Sequence, residues 1–251
     1  MTQALSRLTA IALAVSSAFA LTVALPHHAA HAMSVTPVHI EMQSAGRSAR
    51  SQVKVTNTSN RPLPVEIGIE KFKLSVNGNR KNSKAGDDFL VFPPTALIKP
   101  GASQVFRIQW VGEPLLKRSE SYMVNVNQLP VKLPKGRSAV QIVMSFGVNI
   151  NVAPPKGRPT LQIAGTGVTR SKDGKRYPTV TVSNGSNVHG LMTSGTLKLA
   201  GGSWSKTLPP TFLRQRVGIG LVQPGAKRRF VIPVALPRGV TKVQASLRPG
   251  K

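Results

Sequence analysis

The chain has 251 residues, no cysteine, and 34 Lys and Arg against 8 Asp and Glu, for a formal net charge of +26. Without thiols, a disulfide-stapled scaffold and cysteine-based redox or metal chemistry are excluded, so the fold must rest on its hydrophobic core. So cationic a surface favours acidic proteins or anionic headgroups as partners.

The first segment pairs a lone cation, Arg7, with an uncharged apolar stretch from Leu8 to Leu25 and closes on Ala30-His31-Ala32. That order predicts a cleaved signal peptide over residues 1–32, a protein starting near Met33, and no membrane span in the mature form. Export also sets nucleic acid aside as a partner.

Beyond it, helical periodicity is almost absent. Short alternating runs recur between Pro, Gly, Asn and Ser clusters: "SVTPVHIEM" as a first strand, "RSQVKVTN" as a second, then "LPVEIGIEKFKLSV". The polar stretch Asn77 to Asp88 reads as a mobile loop. "FLVFPPTALIKPGASQVFRIQW" holds strands broken at Pro93-Pro94 and at Lys99-Pro100-Gly101, and "SESYMVNVNQLPV" follows. Three prolines in "APPKGRP" mark a connection, after which strands resume in "TLQIAGTGVTR", "RYPTVTVSNGS", "SGTLKLAGG", "RRFVIPVAL" and "TKVQASLRP". Strands at this spacing predict an all-β chain of two sandwiches, over residues 33–154 and 155–251.

One strand is too long. From Val140 to Val152 every second residue is apolar, through Ile142, Met144, Phe146, Val148 and Ile150. At roughly 3.3 Å per residue the run spans about 40 Å, more than a small sandwich needs. A long apolar edge is an aggregation hazard unless something covers it. The face of Val140, Ile142, Met144 and Phe146 is therefore the candidate binding face, with Phe146 nearest the sandwich's own core. The plainer alternative is a core strand that its own sandwich covers.

Four stretches in order, "VKVTNTSNRPLPVEI", "DFLVFPPTALIKPGASQVFRI", "SESYMVNVNQLP" and "VQIVMSFGVNINVAPP", resemble the periplasmic pilus chaperones of the chaperone–usher pathway. The resemblance covers roughly Ser34 to Pro155; the second half matches only in size, β character and one turn–strand, "QPGAKRRFVIP". It implies two immunoglobulin-like domains in an L or boomerang, located in the periplasm. It also implies that Val140, Ile142, Met144 and Phe146 donate a strand to an unfinished pilin, which an outer-membrane usher then receives. Pairing of two copies through the same edge, as a self-capped dimer, is another way to cover it.

The sequence departs from that family at one place. Members hold the subunit's C-terminal carboxylate with an Arg from the first strand and a Lys from the long strand; here those positions resemble His39 and Asn149. Neither is a permanent cation, which places the chain in a divergent branch, with Arg107 as a candidate substitute. Lys227, Arg228 and Arg229 sit at a turn, either as an anionic contact or, more simply, as a solvated hairpin. Trp110, Trp204 and Phe212 read as core residues. No metal site, nucleotide loop or nucleophile elbow is legible, so no cofactor and no enzymatic activity are expected. The functional expectation is a pilin chaperone; the alternatives are a secreted fimbrial subunit or a cationic immunoglobulin-like module for acidic glycans or lipids.

Overall fold

The computed structural model describes residues 33–130 and 143–250. The signal-peptide segment and two of the expected binding residues, Val140 and Ile142, lie outside these residues. Among the described residues no helix is long and apolar enough to cross a membrane.

In chain order the first half forms β1 (Met33–Thr36), β2 (His39–Gln43), β3 (Arg50–Asn57), β4 (Leu63–Leu74) and β5 (Arg80–Lys84). It continues with β6 (Phe89–Phe92), β7 (Thr95–Ile98), β8 (Ser103–Trp110), β9 (Glu120–Gln128) and β10 (Ser145–Ala153). One sheet runs β1-β3-β8-β6; the other runs β2-β10-β9-β4-β5, with β7 also on β4. Alternation puts Val53, Val55, Phe106 and Ile108 of the first sheet against Tyr122, Val124, Val126, Val148, Ile150 and Val152 of the second, all essentially inaccessible. Every pairing is antiparallel except β2 with β10.

The second half forms β11 (Leu161–Arg170), β12 (Arg176–Asn184), β13 (Gly190–Leu191), β14 (Thr196–Gly201) and β15 (Trp204–Leu208). After α1 (Pro210–Val217) come β16 (Leu221–Val222), β17 (Lys227–Val231) and β18 (Gln244–Arg248). The sheets β11-β12-β17 and β15-β14-β18 enclose a separate core of Val180, Val182, Leu197, Leu199, Leu213 and Ile232. Trp110 is buried in the first core, while Trp204 and Phe212 pack half-buried against the second. The molecule is thus two immunoglobulin-like sandwiches, as the spacing of strands predicts.

Three local features differ from expectation. "SVTPVHIEM" is two strands in different sheets: Pro37 separates them, and its missing N–H cannot join a ladder. The stretch read as a mobile loop contains β5, paired with residues 70–74 of β4. Its five residues are all exposed at a sheet edge, so nothing demands alternation, and the available strand signal is the Asn77-Gly78 turn instead. Gly78 has φ of +86°, which favours glycine. The helix α1 is not foreshadowed by the strand pattern; Pro210 opens it, and Leu213 is buried against the second core.

The two sandwiches share a device that the pattern of strands does not reveal. Val55-x-Asn57-x-Ser59 and Val182-x-Asn184-x-Ser186 each end a strand. Asn57 Nδ2 donates to the carbonyls of Arg61 (2.7 Å) and Ile98 (3.0 Å), while its Oδ1 accepts from Ser59 N and Oγ. Asn184 Nδ2 donates to Val188 O (2.8 Å) and Val222 O (3.0 Å), while its Oδ1 accepts from Ser186 N and Oγ. Each amide therefore meets all its hydrogen-bonding demands inside the protein. Replacing either by Ala leaves carbonyls without a donor and is expected to cost about 1–3 kcal/mol in urea unfolding. The two losses should add, since the sites share no partner.

Candidate functional site: the long strand and the cleft it borders

The strand β10 has two flanks with different fates. Along β9 it is paired from Ser145 to Val152. Along β2 it is paired only from Asn149 to Ala153, because β2 begins at His39 and the preceding chain crosses to the other sheet. Among the described residues nothing pairs with the β2-side edge from Ser145 to Val148. Val148, Ile150 and Val152 point into the core, and Phe146 shares their face yet is 37% exposed. Met144 is the half-buried one, packed against the first core. The expected order of these two is therefore reversed: the sandwich covers Met144, whereas beside Phe146 the neighbouring strand is missing.

Of the three expected anchor residues, two meet. His39 and Asn149 are direct partners across β2 and β10, and His39 Nδ1 donates to Asn149 Oδ1 at 3.2 Å. Arg107 does not join them. It lies on β8 in the opposite sheet, exposed beside Arg50, Leu90 and Phe92. The alternation of "VFRIQW" turns Phe106 and Ile108 into the core, so Arg107 faces away from it.

Glu41, two residues past His39 on the same strand face, is a hub whose links to His189 and Asn151 no sequence spacing signals. His189 Nε2, from the second sandwich, lies 2.5 Å from Glu41 Oε2, and Asn151 Nδ2 donates to Glu41 Oε1 at 2.9 Å. His39 Nε2 also stands 2.7 Å from Oε1, at an angle too poor for a hydrogen bond, so its contribution is electrostatic. Asn151, fully buried, accepts in turn from Ser121 Oγ at 2.9 Å. The two imidazoles engage different oxygens of one carboxylate, and among the described residues no group of three ligands is arranged to hold a metal.

Further hydrogen bonds fasten the sandwiches along this seam. Arg118 Nη2 donates to Pro224 O (2.5 Å), Leu74 N to Gln223 Oε1 (2.8 Å), and Gln223 Nε2 to Phe72 O (3.0 Å). Two cavities of about 490 Å³ each open between the sandwiches. Glu41 and His189 line one; Asn149, Met123, Phe72, Arg80, Arg228 and Phe230 contribute to the other.

Burial raises the Glu41 pKa, but the hydrogen bond from His189, the contact with His39, the charge of His189 and the Asn151 amide together outweigh it, holding the carboxyl at about 2. A depressed carboxylate contributes stability above its unfolded value, near 4.5, and that contribution is lost as pH falls towards 2. Because the side chain is 45% exposed, screening limits the effect to on the order of 1 kcal/mol. Urea unfolding at pH 5 and at pH 2.5 should therefore show a smaller acid loss for Glu41→Gln than for the unchanged protein. An equal loss would mean that the carboxylate does not fasten the seam.

The comparisons with known proteins agree with this architecture. The profile of the pili and flagellar-assembly chaperone family, PapD N-terminal domain, matches residues 32–157, half of the chain. Among solved structures, the class 5 fimbriae chaperone CfaA aligns with 87% of this chain and 99% of its own, at 14% identity and a TM-score of 0.52. The YadV chaperone aligns with 86% of this chain and 92% of its own, at 15% identity and a TM-score of 0.52. A chain from a chaperone–tip adhesin complex of CFA/I fimbriae covers 87% of this chain and 98% of its own, at 14% identity and a TM-score of 0.51. At such identities these structures establish a shared fold, and no curated protein matches the sequence. The match over the whole first sandwich makes this chain a member of the pili and flagellar-assembly chaperone family.

Proposed function

We propose that this chaperone works in the periplasm by strand donation: it lends β10 and the residues before it to a pilin subunit that lacks a strand, and later releases the subunit to an outer-membrane usher. The observation that carries the reading is the edge from Ser145 to Val148, unpaired on its β2 side among the described residues and carrying the exposed Phe146. An incoming strand finds main-chain donors and acceptors there, and alternate side chains to set its register. In the sequence, Val140, Ile142 and Met144 carry the same apolar alternation ahead of β10. Family membership favours this reading over a fimbrial subunit or a glycan-binding module. Transfer needs no nucleotide, because exchange of one covering strand for another is driven by the better fit of the final partner.

The test is capture of a subunit in the native periplasm. Tagged protein, washed at high salt, should retain a small β-rich subunit in equimolar amount, since burial of apolar side chains is insensitive to screening. Burying one large side chain contributes about 1.5–3 kcal/mol, so Phe146→Arg should weaken retention by about tenfold or more while leaving the melting temperature unchanged. Retention unaffected by Phe146→Arg, or complex lost simply on raising salt, would remove the donation reading.

A further inference from the structure

The outer face of the first sheet carries cations and apolar side chains but no acid. The alternation that buries Val53, Phe106 and Ile108 turns Arg50, Lys54, Val105 and Arg107 outward, with Leu90 and Phe92 on the end strand β6. Register gathers them: Phe92 stands beside Arg107, Val105 beside Lys54, and Gln109 between Leu90 and Arg50. Leu90 is 58% and Phe92 65% exposed, so two large apolar side chains on one strand face meet water together. Two open depressions, of about 540 and 220 Å³, share Phe92 and Arg107 in their walls, and neither is lined by an Asp or Glu. Among the described residues none of the three cations has a carboxylate partner.

Charge decides what can cover such a face. A second copy is a poor occupant, because two copies would set three cations against three with no acid between them. Pairing through the edge of β6 is also disfavoured, since that strand has four residues and stops at Pro93-Pro94. The occupant must therefore be anionic and must also offer apolar depth to Leu90 and Phe92. The chain's excess of cations is general, +26 with only 8 acids, rather than confined to one groove. An extended anionic plane meets that field better than a discrete acidic chain does.

We propose that the outward face of β3, β8 and β6 docks on an anionic lipid bilayer. Arg50, Lys54 and Arg107 meet headgroup phosphates there, while Leu90 and Phe92 enter the boundary between headgroups and acyl chains. The face belongs to the sheet opposite β10, so the edge of β10 stays free while the protein is docked, and the surface stands whether or not that edge donates a strand.

The probe is a set of vesicles of phosphatidylcholine, with and without about one-third phosphatidylglycerol, sedimented with protein recovered from the periplasm and shown by mass to have lost its leader. Partition into the anionic vesicles is expected to exceed that into the neutral ones at least tenfold. One cation at an anionic surface contributes about fivefold, so replacing Arg50, Lys54 and Arg107 together by Gln should lower partition about a hundredfold. Replacing three exposed cations of the second sandwich, Lys198, Lys206 and Arg248, by Gln should lower it no more than about threefold. Leu90→Ser with Phe92→Ser should lower it about tenfold or more, with the melting temperature of each variant unchanged. Phe92→Trp should gain quenching by brominated phosphatidylglycerol beyond that of the unchanged protein, in which Trp110 is buried in the core of the first sandwich. Equal partition into neutral and anionic vesicles, or equal losses from the two triple replacements, overturns the surface. Dependence on the cations alone, with no effect of the Ser replacements and no quenching, would assign the face to an acidic chain and overturns the bilayer.

Discussion

A strand backbone carries donors and acceptors on both flanks, and β10 finds partners on one of them for only part of its length. The point of change is the His39–Asn149 pair. Beyond it, towards Ala153, the strand is enclosed: Ile150 and Val152 fill the core, and Asn151 is bonded to Glu41 and Ser121. Before it the β2 flank has no partner among the described residues, and Phe146 faces solvent although it shares the core's side of the sheet. The place where β2 begins therefore decides which residues hold the sandwich together and which remain available. Pro37 sets that place, since the chain cannot continue a ladder through a residue without an N–H and passes instead to the other sheet.

Charge is the second constraint. With 8 acids for 34 Lys and Arg, most cations can have no carboxylate partner, and each acid that is bonded at a junction matters more than usual. Glu41 occupies such a position: one carboxylate takes His189 from the second sandwich and Asn151 from β10. The same scarcity leaves Arg228 unmatched. An exposed Arg without a partner is ordinary, because water compensates it; a half-buried one with a single carbonyl acceptor is not. The difference lies in where β17 places its alternate side chains: Lys227 and Arg229 face outward, while Arg228 turns into the cavity.

Alternation makes the strands of both sandwiches legible, and it locates β10 and its apolar face from Val148 to Val152 without further help. What alternation cannot report is where a strand's neighbour stops, which is why it places Met144 and Phe146 on one face without saying which of them the sandwich covers. Polar edge strands such as β5 bury nothing, so no pattern records them, and Asn77-Gly78 is the only available sign. The resemblance to pilus chaperones singles out His39 and Asn149, which β2 and β10 pair directly. Arg107, the candidate substitute cation, lies on the outward face of "VFRIQW" in the other sheet. Glu41 with His189 and the Arg228 cavity join residues 148 and 79 positions apart (the latter from Asn149), and single-sequence patterns carry no information about such pairs. The repeated Val-x-Asn-x-Ser is visible in the letters, yet its meaning is a turn held by an amide, which only the hydrogen bonds disclose.

The exposed edge and the seam are physically joined through β10. Asn149 is at once the first residue paired with β2 and a wall of the cavity that Arg228 lines. Two residues on, Asn151 is bonded to Glu41, and Glu41 to His189 of the second sandwich. One strand thus passes from an edge without a β2-side partner among the described residues to the residues that fasten the second sandwich. Because side chains alternate along a strand, a slip of β10 by one residue against β2 would turn Ile150 and Val152 out of the core and break the Asn151–Glu41 bond together. The register that leaves Phe146 exposed is therefore the same one that holds the two sandwiches together, and neither can shift without the other.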